Sequence, residues 1–144
     1  MSNKLNLDGL TTAFVEASSE EGLQYSAELL AGEVPVLQVS IADREEFPVY
    51  ITIDDSQALC VSYLWTEDDV KPECRQQLLD DLLVMNLPMP LSAFSKIGSR
   101  YVIFGALSTS SSIQDVISEV EILSDNTLEV FETIDEYLQE SVTN

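Results

Sequence analysis

Histidine is absent from this chain of 144 residues. With it go Ser-His-Asp triads, imidazole acid–base chemistry and His-ligated zinc. Cations are scarce: 6 Lys plus Arg stand against 26 Asp plus Glu, for a formal net charge of -20. Such a surface repels phosphate, so neither nucleic acid nor anionic lipid is an expected partner. The two cysteines, Cys60 and Cys74, form no C-x-x-C and find no His to complete a metal site, so they read as free thiols of a reducing cytoplasm. Five glycines never fall into G-x-G-x-x-G or a P-loop. No apolar run approaches the ~20 residues of a membrane span, and residues 1–12 lack the basic start and apolar run of a signal peptide. A cytoplasmic protein with no direct membrane insertion is the expectation.

Apolar material is plentiful. Hydrophobic residues make up 45% of the chain, with five Tyr, five Phe and one Trp, too much for an acidic disordered tail. One compact domain over residues 1–144 is expected. A globule of this size exposes roughly 7,400 Å², which spaces the net charges about 19 Å apart, beyond the screening length of about 8 Å at physiological salt. The charge is compatible with folding.

Residues 7–20 read as a helix capped by Asp8, with Leu10, Phe14 and Ala17 at helical spacing and Gly22 as its stop. Residues 23–33 carry two signals: Leu23, Tyr25, Ala27 and Leu29 alternate like a strand, while the composition after Ser26 suits a helical turn. Three alternating runs follow: Leu37, Val39 and Ile41; Val49, Ile51 and Ile53; Leu59, Val61, Tyr63 and Trp65. Joined by short polar turns, they predict an antiparallel meander. Asp69 then caps a helix with Pro72 in its first turn and Leu78, Leu79, Leu82 and Met85 as its buried stripe, ended by Pro88 and Pro90. Gly98-Ser99 suits a two-residue hairpin turn between residues 92–97 and 100–107. Ser111 or Ser112 caps a last helical pattern that runs from about 112 to 142. A continuous helix of that length spans about 46 Å, against about 37 Å for the whole globule. Either it breaks near Asp125-Asn126 or its end overhangs and packs on something else. The expected class is α+β: an antiparallel five-stranded sheet with helices, in the order α-β-β-β-α-β-β-α.

That order in a small acidic protein is similar to the type III secretion chaperone-like fold. The stretches YITIDDSQALCVSYLW (50–65), KPECRQQLLDDLLVMNLPMPLSAFSKIGSRYVIFGALS (71–108) and SIQDVISEVEILSDNTLEVFETIDEYL (112–138) resemble the YjfI-like family of uncharacterised bacterial cytoplasmic proteins. The resemblance implies a gene neighbourhood that includes a phage-shock-type membrane-remodelling protein, and hence such a protein as a partner. It implies no activity, cofactor or catalytic residue.

The acidic pairs, Glu20-Glu21, Glu45-Glu46, Asp54-Asp55, Glu67-Asp68-Asp69 and Asp80-Asp81, fall at predicted turns and helix starts, where Asp and Glu are favoured for structural reasons. They lack the spacing of a calcium loop, and no metal or cofactor is expected. Two apolar surfaces stand out. Met85, Leu87, Met89 and Leu91 surround two prolines in a helix-to-strand connection, and adaptable methionines suit a permissive contact surface. From Tyr101 to Asn144 there are nine Asp or Glu and no Lys or Arg. The opposite face of this acidic helix carries Val130, Phe131, Ile134 and Leu138, which predicts a homodimer or hetero-complex through residues 128–142. The sequence reading is a non-enzymatic, protein-binding adaptor or chaperone-like module. A carboxylate-dependent enzyme with a metal or small-molecule substrate, and an acidic nucleic-acid mimic, are the alternatives.

Overall fold

In the computed structural model, which describes residues 4–17 and 22–139, all strands join one antiparallel sheet. The expected α+β class holds, with six strands rather than five. The elements are α1 (Leu7–Glu16), β1 (Tyr25–Leu30), β2 (Val36–Ile41), β3 (Val49–Ile53), β4 (Ala58–Thr66), α2 (Arg75–Asn86), β5 (Ala93–Ile97), β6 (Arg100–Leu107) and α3 (Ile113–Ile134). The sheet order is β1-β2-β3-β4-β6-β5: a four-stranded meander, then a hairpin whose second strand pairs with β4.

The sixth strand is the doubly signalled stretch. Its Ala-Glu-Leu-Leu composition favours helix, but Tyr25, Ala27 and Leu29 pair in register with Ile41, Val39 and Leu37, and that pairing overrides propensity. The hairpin forms as its turn signal predicts: Ile97 faces Arg100, with Gly98 at φ +61° between them. Leu37, Ile51, Cys60 and Gly105 stand in one row across β2, β3, β4 and β6, and this row belongs to the face that α1 and α3 cover. Phe14 meets Tyr25 edge-on at 5.4 Å. The buried Trp65 stacks on Tyr101 and takes the edge of Phe131. The other face leaves Tyr50, Val61 and Phe104 partly exposed.

Helix boundaries follow their caps. Asn6, not Asp8, caps α1, its Oδ1 accepting from Gly9 N at 2.7 Å, and Asp8 sits in the first turn, where its charge favours the dipole. The helix ends at Glu16, and residues 18–20 of the expected span lie outside the described residues. Cys74 stands at the N-cap of α2 and Thr66 at that of a short turn at 67–69, so Asp69 is the N-cap of neither and instead closes the short turn from its third position. Its carboxylate accepts from Thr66 N and Thr66 Oγ1. A second turn at 72–74 holds Pro72, so α2 starts only at Arg75. Ser112 caps α3 in a reciprocal box with Asp115.

Helix α3 resolves the length mismatch in neither expected way. It runs unbroken through Asp125-Asn126 and stops at Ile134 rather than near 142. Its 22 residues span about 33 Å, which the globule accommodates. After one tight turn at 135–137 the chain is stitched to the segment before α2. Leu138 bridges Val70, Lys71 N donates to Tyr137 O, and Gln139 N donates to Asp69 O.

Candidate functional site

Helix α2 carries apolar residues on two sides. Leu78 and Leu82 are buried, with Leu79 and Met85 packed beside them. Leu83, Val84 and Leu87 point away from the core, and Leu83 and Leu87 are 71% and 92% exposed. The chain then passes through Pro88, Met89 and Pro90 to Leu91, itself 63% exposed. Together these side chains make an apolar ridge at the end of α2.

The loop under the ridge is held at several points. Asn86 Oδ1 accepts from Phe94 N at 2.8 Å, closing the loop across its base. Asn126 on α3 donates through Nδ2 to Pro90 O and to Ser92 Oγ, both at 2.9 Å. Met89 N donates to Met85 O. Between these ties Leu91 adopts φ +62°, a left-handed conformation that costs a branched side chain about 1–3 kcal/mol. The fixed loop turns this apolar side chain outward.

Beside the ridge lies a cleft of about 360 Å³. The loop side is formed by Met85, Pro88, Met89 and Pro90; α3 supplies Asn126, Glu129, Val130 and Thr133. Glu129 and Thr133 are exposed at its rim, whereas Val130 closes its floor at 2% exposure. The cleft offers thioether and proline surface, one carboxylate, and no cationic side chain.

Five of the eight residues singled out from sequence thus meet at the ridge and cleft: Met85 and Met89 partly buried against the core, Leu87 and Leu91 exposed, and Val130 buried as the floor of the cleft. The reading of Val130, Phe131, Ile134 and Leu138 as an exposed docking surface is corrected. Val130, Ile134 and Leu138 are buried in the chain's own core, and Phe131 is partly buried against Trp65 and Phe47. An intramolecular partner for the end of α3 removes the overhang on which the docking surface at 128–142 rested. Residues 140–142 of that span lie outside the described residues. Sequence spacing does not single out Leu83 and Val84, because they lie in an unbroken apolar run, Leu82 to Met85, whose buried and exposed members no local period separates. Asn126, where the sequence allows a helix break, lies inside an unbroken helix and ties it to the loop.

Charged groups elsewhere are engaged structurally. Glu67 accepts two bonds from Arg75, one from Tyr101 Oη at 3.0 Å and one from Lys96. The Arg75 guanidinium and the Lys96 ammonium, opposed by partial desolvation, hold its carboxyl down to about 2. Asp54 closes its turn by accepting from Ser56 Oγ, Ser56 N and Gln57 N, which lowers its pKa. One carboxylate is different. Glu119 on α3 is 5% exposed, its Oε1 has no hydrogen-bond partner, and burial raises its pKa. It lies against Gly105 of β6. Burial, with the nearby Glu119, also pushes the Cys60 thiol up to about 12. Among the described residues no group of three or more His, Cys, Asp or Glu is placed to hold a metal ion, and no helix is long and apolar enough to cross a membrane.

Residues 4–138 match the family described as an uncharacterised protein conserved in bacteria, DUF2170, and the chain belongs to that family. No curated protein sequence matches it. In three dimensions it is similar to the crystal structure of E. coli YbjN, at 15% identity and a TM-score of 0.58, with 95% of this chain and 99% of that one covered. That likeness concerns the fold alone.

Proposed function

We propose that this protein is a non-enzymatic adaptor that binds another protein through the ridge of Leu83, Leu87 and Leu91 and the cleft beside it. The observation that carries the reading is Leu87, 92% exposed at the head of a loop tied through the backbone of Phe94 and Pro90 and the Ser92 hydroxyl. An apolar side chain displayed on a fixed support gains on binding without a large ordering cost. Met85 and Met89 beneath it supply an adaptable wall. The carboxylates that an enzyme would need are instead occupied in turns and ion pairs, Asp54 and Glu67 foremost, which weighs against the catalytic alternative. The net charge of -20 favours a protein partner over nucleic acid.

The test is affinity purification from the native host with wild type and with two variants, Leu87→Ser/Met89→Ser and Leu91→Asn. Asn tolerates the left-handed backbone at position 91, so this variant keeps the fold while shortening the ridge. A partner recovered with wild type and depleted with both variants is the expected result. The phage-shock-type membrane-remodelling protein implied by the family resemblance is the first one to look for. Equal recovery with all three proteins overturns the reading.

A further inference from the structure

We infer that the occupant of the ridge is a basic amphipathic helix of the partner; this rests on the protein-binding reading and names the chemistry it selects. Two independent features carry it, one geometric and one electrostatic.

The geometric feature is that the exposed apolar row belongs to a helix. Leu83, Val84 and Leu87 lie at i, i+1 and i+4, and Leu87 keeps helical angles of φ -72° and ψ -50°, so the row continues past the last residue of α2. Residues four apart rise about 6 Å along the axis and form the ridge that a second helix takes into its groove. An extended peptide would instead require free backbone donors and acceptors. The loop offers few: Pro88 and Pro90 have no N–H, Pro90 O is taken by Asn126, and Met89 N by Met85 O.

The electrostatic feature is the distribution of cations. None lies between Arg75 and Lys96, and none follows Arg100. Helix α2 beyond its first residue, the loop after it and all of α3 are therefore without positive charge, while Asp80 and Glu129 stand exposed beside the apolar row. Neighbouring cations are engaged: Arg75 and Lys96 by Glu67, Arg44 by Asp125. A second copy of the chain would oppose this acid with its own, and like charges across an interface select against it. A Lys or Arg of the partner can lay its aliphatic stem on Met85 and Met89 and bring its head group to Glu129.

The probes are two synthetic helical peptides of about five turns with identical Leu faces. One is flanked by Lys, the other by Glu. Each is titrated into the full chain by fluorescence anisotropy at low and raised salt, with amide chemical shifts locating the contact and sedimentation reporting the mass of the free protein. Support consists of binding by the Lys peptide that weakens with salt, with shifts centred on 83–91 and 126–133. Leu83→Ser/Leu87→Ser should then weaken it about tenfold or more, and Glu129→Gln should weaken it less and reduce its salt dependence. All three positions are exposed, and unchanged Trp65 fluorescence confirms that each variant is folded. Equal binding of the Glu peptide overturns the charge selection. Shifts on the uncovered sheet face overturn the location. A wild-type dimer that Leu87→Ser dissociates overturns the occupant in favour of a second copy. If neither peptide binds while partner capture from the host still depends on Leu87, the helical occupant is wrong and the adaptor reading stands.

Discussion

Glu119 and Gly105 make a matched pair. A Cβ built on Gly105 would sit 1.7 Å from Glu119 Oε1 and 3.1 Å from Leu91 O, so the absence of a side chain on β6 is what admits the carboxyl group. Gly105→Ala must push the carboxyl aside inside a packed interior, at a cost of about 1–3 kcal/mol. In the double variant Gly105→Ala/Glu119→Ala most of that cost should disappear, so urea unfolding of the four proteins should give strongly non-additive stabilities. The pH dependence has a definite sign. Burial raises the folded pKa of Glu119 above its usual 4.5, so the neutral form suits the folded state, and stability is lost as pH rises through the folded value. Glu119→Gln should therefore match wild type below about pH 4.5 and become increasingly more stable than it at higher pH. A constant difference across the pH range would show that folding does not shift the pKa of this carboxyl.

Among the elements, the ridge loop depends on an asparagine from a helix distant in sequence. Asn126 supplies both bonds to Pro90 and Ser92, and Leu91 between them is held in an unfavourable conformation. Asn126→Ala leaves Ser92 Oγ and Pro90 O without this donor, at about 1–3 kcal/mol, and frees Leu91 to leave the left-handed region. Amide exchange at 89 and 91–93 should accelerate far more than exchange in β4 or β6, because the opening is local. Equal acceleration throughout would mean that Asn126 supports the core instead. This tie also marks where sequence reading stopped. Strand alternation in 37–65, the Gly98-Ser99 turn and the Ser112 cap could all be read because each is a local pattern. The edge strand at 25–30 could not be decided, because its partner Ile41 and not its composition determines it. The ridge was half visible: Leu87 and Met89 announce themselves beside prolines, but burial of Val130, Ile134 and Leu138 depends on the return of residues 135–139 to the segment before α2, which no local spacing encodes. Glu119 did leave a trace, as a carboxylate among Val116, Val120 and Leu123 on one helix face.

For the molecule as a whole, the net charge of -20 acts on folding and on binding with opposite signs. Most of the few cations already sit in internal contacts: Arg44 with Asp125, Arg75 and Lys96 with Glu67, Lys71 with Glu136 O, Arg100 over the Tyr63 ring. The remaining carboxylates repel one another across the surface, and that repulsion is released on unfolding. Added salt screens it at separations beyond about 8–10 Å, while the close contacts around Glu67 are screened less. Thermal stability should therefore rise between low and physiological ionic strength, the reverse of a protein held mainly by surface ion pairs. Capture of a cationic partner should fall over the same range, because its attraction acts across exposed carboxylates such as Glu129. Melting curves and peptide titrations along one salt series test both signs together. A melting temperature that falls with salt would mean that the ion pairs outweigh the repulsion. Affinity that ignores salt would leave the apolar ridge as the sole source of recognition and remove the charge from it.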